Sequence, residues 1–161
     1  MSIARDAFRG AVAGAAATWL MDRLTTGMLQ LQAPAVTARE EAAQPNGKSS
    51  VANLVDRMEA QTGLTVPAAR RPMIEKAIHY LLGIVPGAVY GIVRRRVPFA
   101  RIANGLGFGV TIFAVNDEYA NATLQLSGPP KAYPLQTHFR GLAGHALLGM
   151  ATETGIVLLG G

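Results

Sequence analysis

The sequence predicts an all-α integral membrane protein, an antiparallel bundle of four transmembrane helices with little mass outside the bilayer. Its composition is the first observation: 50% of the 161 residues are hydrophobic and only 16% are charged, whereas soluble domains carry about 25% charged residues. The glycine content is the second observation, since the chain has 18 glycines. Glycine is unfavourable in soluble helices but frequent in membrane helices. Both observations indicate that lipid surrounds most of the chain.

The predicted spans are four apolar segments, at roughly residues 7–31, 74–93, 99–124 and 139–159. Each is close to the length of about 20 residues that crosses a bilayer. The first segment is interpreted as a retained helix, since no small-residue site for signal cleavage follows its apolar run. The whole chain is therefore expected to form one transmembrane domain.

Arginines predict the orientation of the spans. Two of them lie at the start of the first span, and four lie around the junction of the second and third spans: Arg5, Arg9, Arg94, Arg95, Arg96 and Arg101. Short cytoplasmic loops collect Lys and Arg, so both regions and, with an even number of spans, both termini are expected in the cytoplasm. Topology thereby accounts for the net charge of +5, and nucleic acid is not an expected partner.

Residues 32–73 form the predicted first outer loop. It contains the turn signal Pro45-Asn46-Gly47, and Ser49 is a candidate N-cap for a following helix. Helical spacing after this cap is seen at Val51, Leu54, Val55 and Met58. We expect one short amphipathic helix lying on the outer membrane face, with a partly ordered loop as the alternative.

Small residues spaced four apart form a ridge on every predicted span. Such ridges let helix backbones approach closely in lipid, where the hydrophobic effect does not drive helix association. The glycines of these ridges are Gly10 and Gly14 on the first span, Gly83, Gly87 and Gly91 on the second, Gly105 and Gly109 on the third, and Gly141 and Gly149 on the fourth. They are the predicted helix-packing residues.

Ionisable residues continue the same ridges: Asp22, His79, Asp117 and His145. A charge in hydrocarbon costs at least ~2.5 kcal/mol, so these side chains are expected to face neighbouring helices. A rise of about 1.5 Å per residue puts all four at a similar depth in the outer half of the membrane. Additional ligands within reach along the chain are Glu75, Glu118 and His138.

Several kinds of chemistry fit this predicted cluster. Imidazole and carboxylate groups bind transition metals, His79 and His145 are candidate ligands for b-type haem, and a His paired with a carboxylate exchanges protons near neutral pH. The remaining alternative is hydrogen bonding between helices without any ligand, worth ~0.6 kcal/mol per contact on average. Glu153, also on a ridge, is expected near the inner interface and isolated from the cluster.

Motifs for soluble enzymes are missing from the sequence. The chain has no cysteine, no phosphate-binding Gly loop followed by Lys, no Gly-x-Ser-x-Gly and no His-Glu-x-x-His. The expected function is accordingly non-enzymatic: a module that packs by its glycine faces against other membrane subunits or against copies of itself. The competing function is proton, ion or metal handling by the buried cluster.

The segment from about residue 78 to 149 resembles the YagU-like bacterial inner-membrane proteins. The resemblance is carried by His79-Tyr80-Leu81-Leu82-Gly83, Pro86-Gly87-Ala88-Val89-Tyr90-Gly91, Gly105-Leu106-Gly107-Phe108-Gly109, Asp117-Glu118 and Tyr133-Pro134 to His138, Gly141 and His145. One position departs from this resemblance: an aromatic residue is expected before Gly149, whereas this sequence has Leu148. The resemblance implies a small multi-pass protein of the bacterial inner membrane, loosely associated with acid tolerance, without an established activity or cofactor.

Overall fold

The computed structural model describes residues 2–161, apart from the side chains of Pro98 and Ala100, and this part of the chain is 83% helix without a strand. The all-α prediction is confirmed. The helices are α1 (Ile3–Gln30), α2 (Pro34–Ala43), α3 (Ser50–Thr62), α4 (Arg71–Val93), α5 (Ile102–Ile112), α6 (Asn121–Thr123) and α7 (Leu135–Leu158). A π-helical segment, Phe113–Ala120, connects α5 to α6.

Helices α1 and α4 pack against each other through their glycines. A Cβ added to Gly87 would lie 2.6 Å from the carbonyl oxygen of Gly10 and 3.0 Å from the Cα atom of Gly14. Farther along, a Cβ on Gly83 would overlap the side chain of Thr18. Since higher residue numbers on α1 meet lower numbers on α4, the two helices are antiparallel.

Helices α5 and α7 make a second antiparallel contact of the same kind. Gly105 and Gly109 lie against Gly149, and a Cβ on Gly149 would lie 2.6 Å from the backbone nitrogen of Gly109. Gly105 also has a φ of 87°, a left-handed conformation that glycine adopts without strain. Gly141, farther along α7, faces the ring of Phe113.

The contact between α1 and α7 uses two glycines that the ridges do not contain. Gly144 lies against Thr25 and Met21, and Gly155 lies against Ala13. Helix α1 is therefore flanked by α4 and α7, and α7 is flanked by α1 and α5. Both chain ends lie at one end of the helices, because Gly160 is close to Arg9.

Large apolar side chains lie mainly on the outside of these helices. The buried apolar cluster is small: Ala13, Ala17, Tyr90, Phe108, Leu148 and Ile156. By contrast, exposed fractions reach 49% at Trp19, 56% at Val85, 55% at Val115 and 64% at Phe139. Among the described residues, one helical stretch, Ala68–Val93, is long and apolar enough to cross a membrane.

The predicted outer loop contains two helices instead of one, because α2 precedes the predicted amphipathic helix. Helix α3 begins at Ser50, and the Ser49 side chain accepts a hydrogen bond from the backbone N–H of Ala52 at 3.2 Å. Its Val55 is buried, and its Asn53 side chain donates to the Leu126 carbonyl at 3.0 Å. Helix α3 thus covers one end of the long helices, which we name the loop end; the opposite end is the arginine end.

Candidate functional site

The four predicted ionisable residues form two pairs that each connect two elements. His79 Nε2 on α4 lies 2.7 Å from Asp22 Oδ1 on α1. His145 Nδ1 on α7 lies 3.6 Å from Asp117 Oδ2 on the π-helical segment, and 3.0 Å from the Gly141 carbonyl. Since a carbonyl only accepts hydrogen bonds, Nδ1 of His145 carries a hydrogen.

These pairs meet at a cavity of about 180 Å³, which we name the central cavity. His79, Asp117 and His145 all line it, and Asp22 is joined to it through His79. The other polar side chains on its wall are Thr18, Ser50, Asn116 and Asn121. The structure therefore brings all four residues to one site, with room for several water molecules.

The π-helical segment directs neighbouring carboxylates to different places. A π-helix widens the turn to i→i+5 hydrogen bonds and occurs frequently at functional sites. Asp117 reaches the central cavity, whereas Glu118 lies 2.6 Å from Nδ1 of His138 near the start of α7. Nε2 of that histidine lies 3.0 Å from the Pro130 carbonyl, so both ring nitrogens face oxygen atoms.

A second cavity, of about 300 Å³, lies at the loop end, and we name it the loop-end cavity. Glu118 and His138 line it together with Glu40 and Arg140. It shares four lining residues with the central cavity: Met21, Ser50, Asp117 and Asn121. The two cavities are therefore adjacent, with Asp117 on the wall of both.

Glu40 ties α2 to α7 at the edge of the loop-end cavity. Its carboxylate accepts hydrogen bonds from Arg140, from Gln32 at 3.3 Å and from Thr137 at 3.0 Å. Burial raises the pKa of Glu40, but the hydrogen bonds from Arg140 and Gln32 lower it more, so its pKa is below the ordinary value. The carboxylate is therefore charged at neutral pH.

Glu75 is not part of the cluster, contrary to the additional role that its position one turn from His79 suggested. Its carboxylate lies 3.1 Å from Arg71, and Arg71 also pairs with Asp56 and Glu59 of α3. Glu75 thus belongs to a network that attaches α3 to α4, while His79 pairs with Asp22.

Glu153 lies apart from the predicted cluster, as expected, but it is not a lone group. It is 3% exposed, and it accepts hydrogen bonds from Arg94, from the Tyr90 hydroxyl at 2.6 Å and from Arg101 at 3.3 Å. These bonds to Glu153 raise the pKa of Arg94. The depth estimate used for the histidines also places Tyr90, Arg94 and Glu153 at the arginine end, which is the signal that the sequence offered, although it does not select partners.

Metal binding is not favoured by this geometry. Between residues 2 and 161, no group of three or more His, Asp or Glu side chains converges as metal ligands. The central cavity, at about 180 Å³, is also smaller than the roughly 300 Å³ at which pockets for drug-sized ligands begin. A ligand as large as haem therefore exceeds the volume of this cavity.

Comparison with family models, curated proteins and solved structures found no match to this chain. The resemblance to the YagU-like proteins therefore stays a prediction.

Proposed function

We propose that this chain is a multi-pass protein of a bacterial inner membrane, in which α1, α4, the α5–α6 region and α7 form an antiparallel four-helix transmembrane bundle. The outward apolar side chains on all four, such as Trp19, Val85, Val115 and Phe139, support lipid contact. Buried polar groups between the helices, such as Thr152, Glu153 and Arg94, support the same arrangement. The arginine end carries both termini and faces the cytoplasm.

Within this bundle, the central cavity binds and passes protons. The observation that carries this function is that His79, Asp117 and His145 line one small cavity between helices that pack closely through their glycines. Ionisable groups inside a membrane are costly and are usually functional. Imidazole exchanges protons near neutral pH, and a carboxylate partner stabilises its charged form.

The glycine ridges do not favour the alternative of docking to another subunit. Gly10 and Gly14 contact α4, while Gly105 and Gly109 contact α7. These surfaces are therefore filled by the chain's own helices. No other surface of the described residues identifies a partner subunit, and the proposed role is non-enzymatic.

Proton flux into liposomes tests the function. The purified protein is reconstituted with a trapped pH dye, and a pH step is applied in the presence of valinomycin and potassium. We expect flux well above that of protein-free liposomes, and at least a tenfold loss in His79→Gln and in Asp117→Asn. Glu75→Gln is the matched control on α4, because Glu75 pairs with Arg71 outside the cavity, and its flux should equal that of the wild type.

Folding of each variant is checked by circular dichroism and size-exclusion elution in detergent. Wild-type flux no higher than that of empty liposomes would contradict the proposed function. So would unchanged flux in a folded His79→Gln or Asp117→Asn protein. Metal analysis and visible absorbance of the same samples report separately on metal and haem.

A further inference from the structure

The loop-end cavity offers the central cavity a route to water. Asp117 and Asn121 line both cavities, and Ser50 at the start of α3 lies at the same junction. Polar side chains at this junction offer hydrogen-bond partners to water between the two spaces. The route therefore leads from the loop end of the helices to Asp117.

The His138–Glu118 pair on this route holds a shared proton. Nε2 of His138 faces the Pro130 carbonyl at 3.0 Å, so this nitrogen carries a hydrogen. Nδ1 lies 2.6 Å from a Glu118 oxygen, and a second hydrogen must lie between them, since two lone pairs at that distance repel. The pair is therefore either imidazolium with carboxylate or imidazole with carboxylic acid, two forms with the same number of protons.

Other charged groups around His138 are already paired. Arg140, two residues later on α7, is held by Glu40 of α2. The ring of Tyr133 contacts the His138 ring edge-on, with centroids 6.4 Å apart. Asp117, the neighbour of Glu118 in the chain, is the next ionisable group toward the central cavity.

On the opposite side, the central cavity ends at an apolar layer. Leu148 lies on its wall, and beyond it Ala17 is fully buried. The rings of Tyr90 and Phe108 stack there with centroids 4.3 Å apart. Leu148, Ala17, Tyr90 and Phe108 belong to one buried cluster, and this cluster offers no carboxylate or imidazole to accept a proton from the cavity.

We propose that the central cavity exchanges protons with the loop end alone in this conformation, and that the His138–Glu118 pair relays them to Asp117. This inference rests on the proposed function. In the relay, the pair gives its shared proton to the ionised Asp117 carboxylate and then regains one from water in the loop-end cavity. Asp117 then gives the proton to water in the central cavity, whose wall it shares with His79 and His145, and no other bond is made or broken.

Variants of the pair test the relay in the liposome assay. We expect His138→Gln and Glu118→Gln each to slow flux about tenfold, while ¹⁵N NMR shows unchanged titration of His79 and His145. A merely structural role of the pair would alter those titrations or leave flux intact. Tyr119→Phe is the matched control beside Glu118, since Tyr119 is 68% exposed, and it should behave as the wild type.

Cysteine labelling tests the access route without depending on these variants. The chain has no cysteine of its own, so Asn121→Cys and Thr152→Cys each introduce a single thiol. A membrane-impermeant maleimide should label the thiol at position 121 from the loop end and not from the arginine end. Position 152, fully buried, should not be labelled from the loop end.

The outcomes separate the two proposals. Flux that is normal in the wild type and equally fast in folded His138→Gln and Glu118→Gln proteins would overturn the relay while leaving the proposed function intact. Labelling of position 121 from the arginine end would overturn the one-sided access. Absence of wild-type flux would overturn the proposed function itself, and with it the relay.

Discussion

At the scale of single residues, Glu153 is held differently from the acidic groups of the central cavity. Arg94, Tyr90 and Arg101 all donate hydrogen bonds to it, and its side chain is 4% exposed. Asp22, by contrast, is 35% exposed and pairs with His79. A fully satisfied buried ion pair is a fixed structural element, whereas the proposed function requires proton exchange at the histidines beside the cavity.

Breaking the Glu153 contact should destabilise the helix packing strongly. Glu153→Gln leaves the Arg94 cation buried without its partner, so we expect a loss of ~3–5 kcal/mol in the free energy of unfolding. The double variant Arg94→Met with Glu153→Leu should recover much of the lost stability, because it leaves no buried charge unpaired. The measurement is reversible unfolding in mixed micelles.

Arg96→Met is the control for these variants, since Arg96 is exposed in the same loop and its loss should cost less than about 0.5 kcal/mol. A Glu153→Gln protein as stable as Arg96→Met would contradict the role given to the buried ion pair.

Glu40 makes the stability of the folded protein depend on pH, and its lowered pKa sets the direction of that dependence. Because its folded pKa is lowered from 4.5, its contribution to stability is fully present above pH 4.5 and is lost as the pH falls through the folded pKa. We therefore expect Glu40→Gln to be less stable than the wild type at pH 7, with the difference shrinking below pH 4.5. Unfolding at a series of pH values measures this; a difference that instead grew in acid would refute the assignment.

At the scale of helices, close backbone contact explains where glycine is needed. Gly87 has no room for a Cβ, because Gly10 and Gly14 of α1 lie 2.6 and 3.0 Å from where it would be. Gly27, also on α1, has no neighbouring atom within 4 Å of an added Cβ. These two glycines therefore make a matched pair for testing the helix contact.

Gly87→Ala should separate α1 from α4 and lower the free energy of unfolding by ~1–3 kcal/mol, as overpacking does. Gly27→Ala fills open space and adds helix propensity, so it should be neutral or stabilising by up to ~1 kcal/mol. Unfolding in mixed micelles compares the two variants. Equal effects would show that glycine acts through helix propensity and not through packing.

At the scale of the whole molecule, the proposed topology makes the two ends of the helices face different compartments. The termini share one end, since Gly160 lies near Arg9, and α2 and α3 lie at the other. We expect reporters fused after residue 161 to be on the cytoplasmic side, and reporters inserted near Lys48 on the opposite side. Paired alkaline phosphatase and fluorescent-protein fusions measure this, and reporters at both positions on one side would exclude the four-span topology.

The amino-acid sequence was sufficient for the features that depend on helical periodicity. Residues four apart share a helix face, so the ridge of Gly83, Gly87 and Gly91 and its extension to His79 were visible without coordinates. The start of α3 after Ser49 was visible too, because N-capping is local. Depth along a helix follows from the rise per residue, and this placed Asp22 and His79 at a similar level.

Only the tertiary structure decided which groups are partners. Glu153 and Arg94 are 59 residues apart, and Glu75 joins Arg71 rather than His79, because the choice depends on how the helices are rotated and which donor is nearest. The π-helical segment had no signal in the periodicity, yet it places Asp117 on the wall of both cavities and Glu118 on the loop-end cavity alone. A cavity is a property of several helices together, and no single segment of the sequence encodes it.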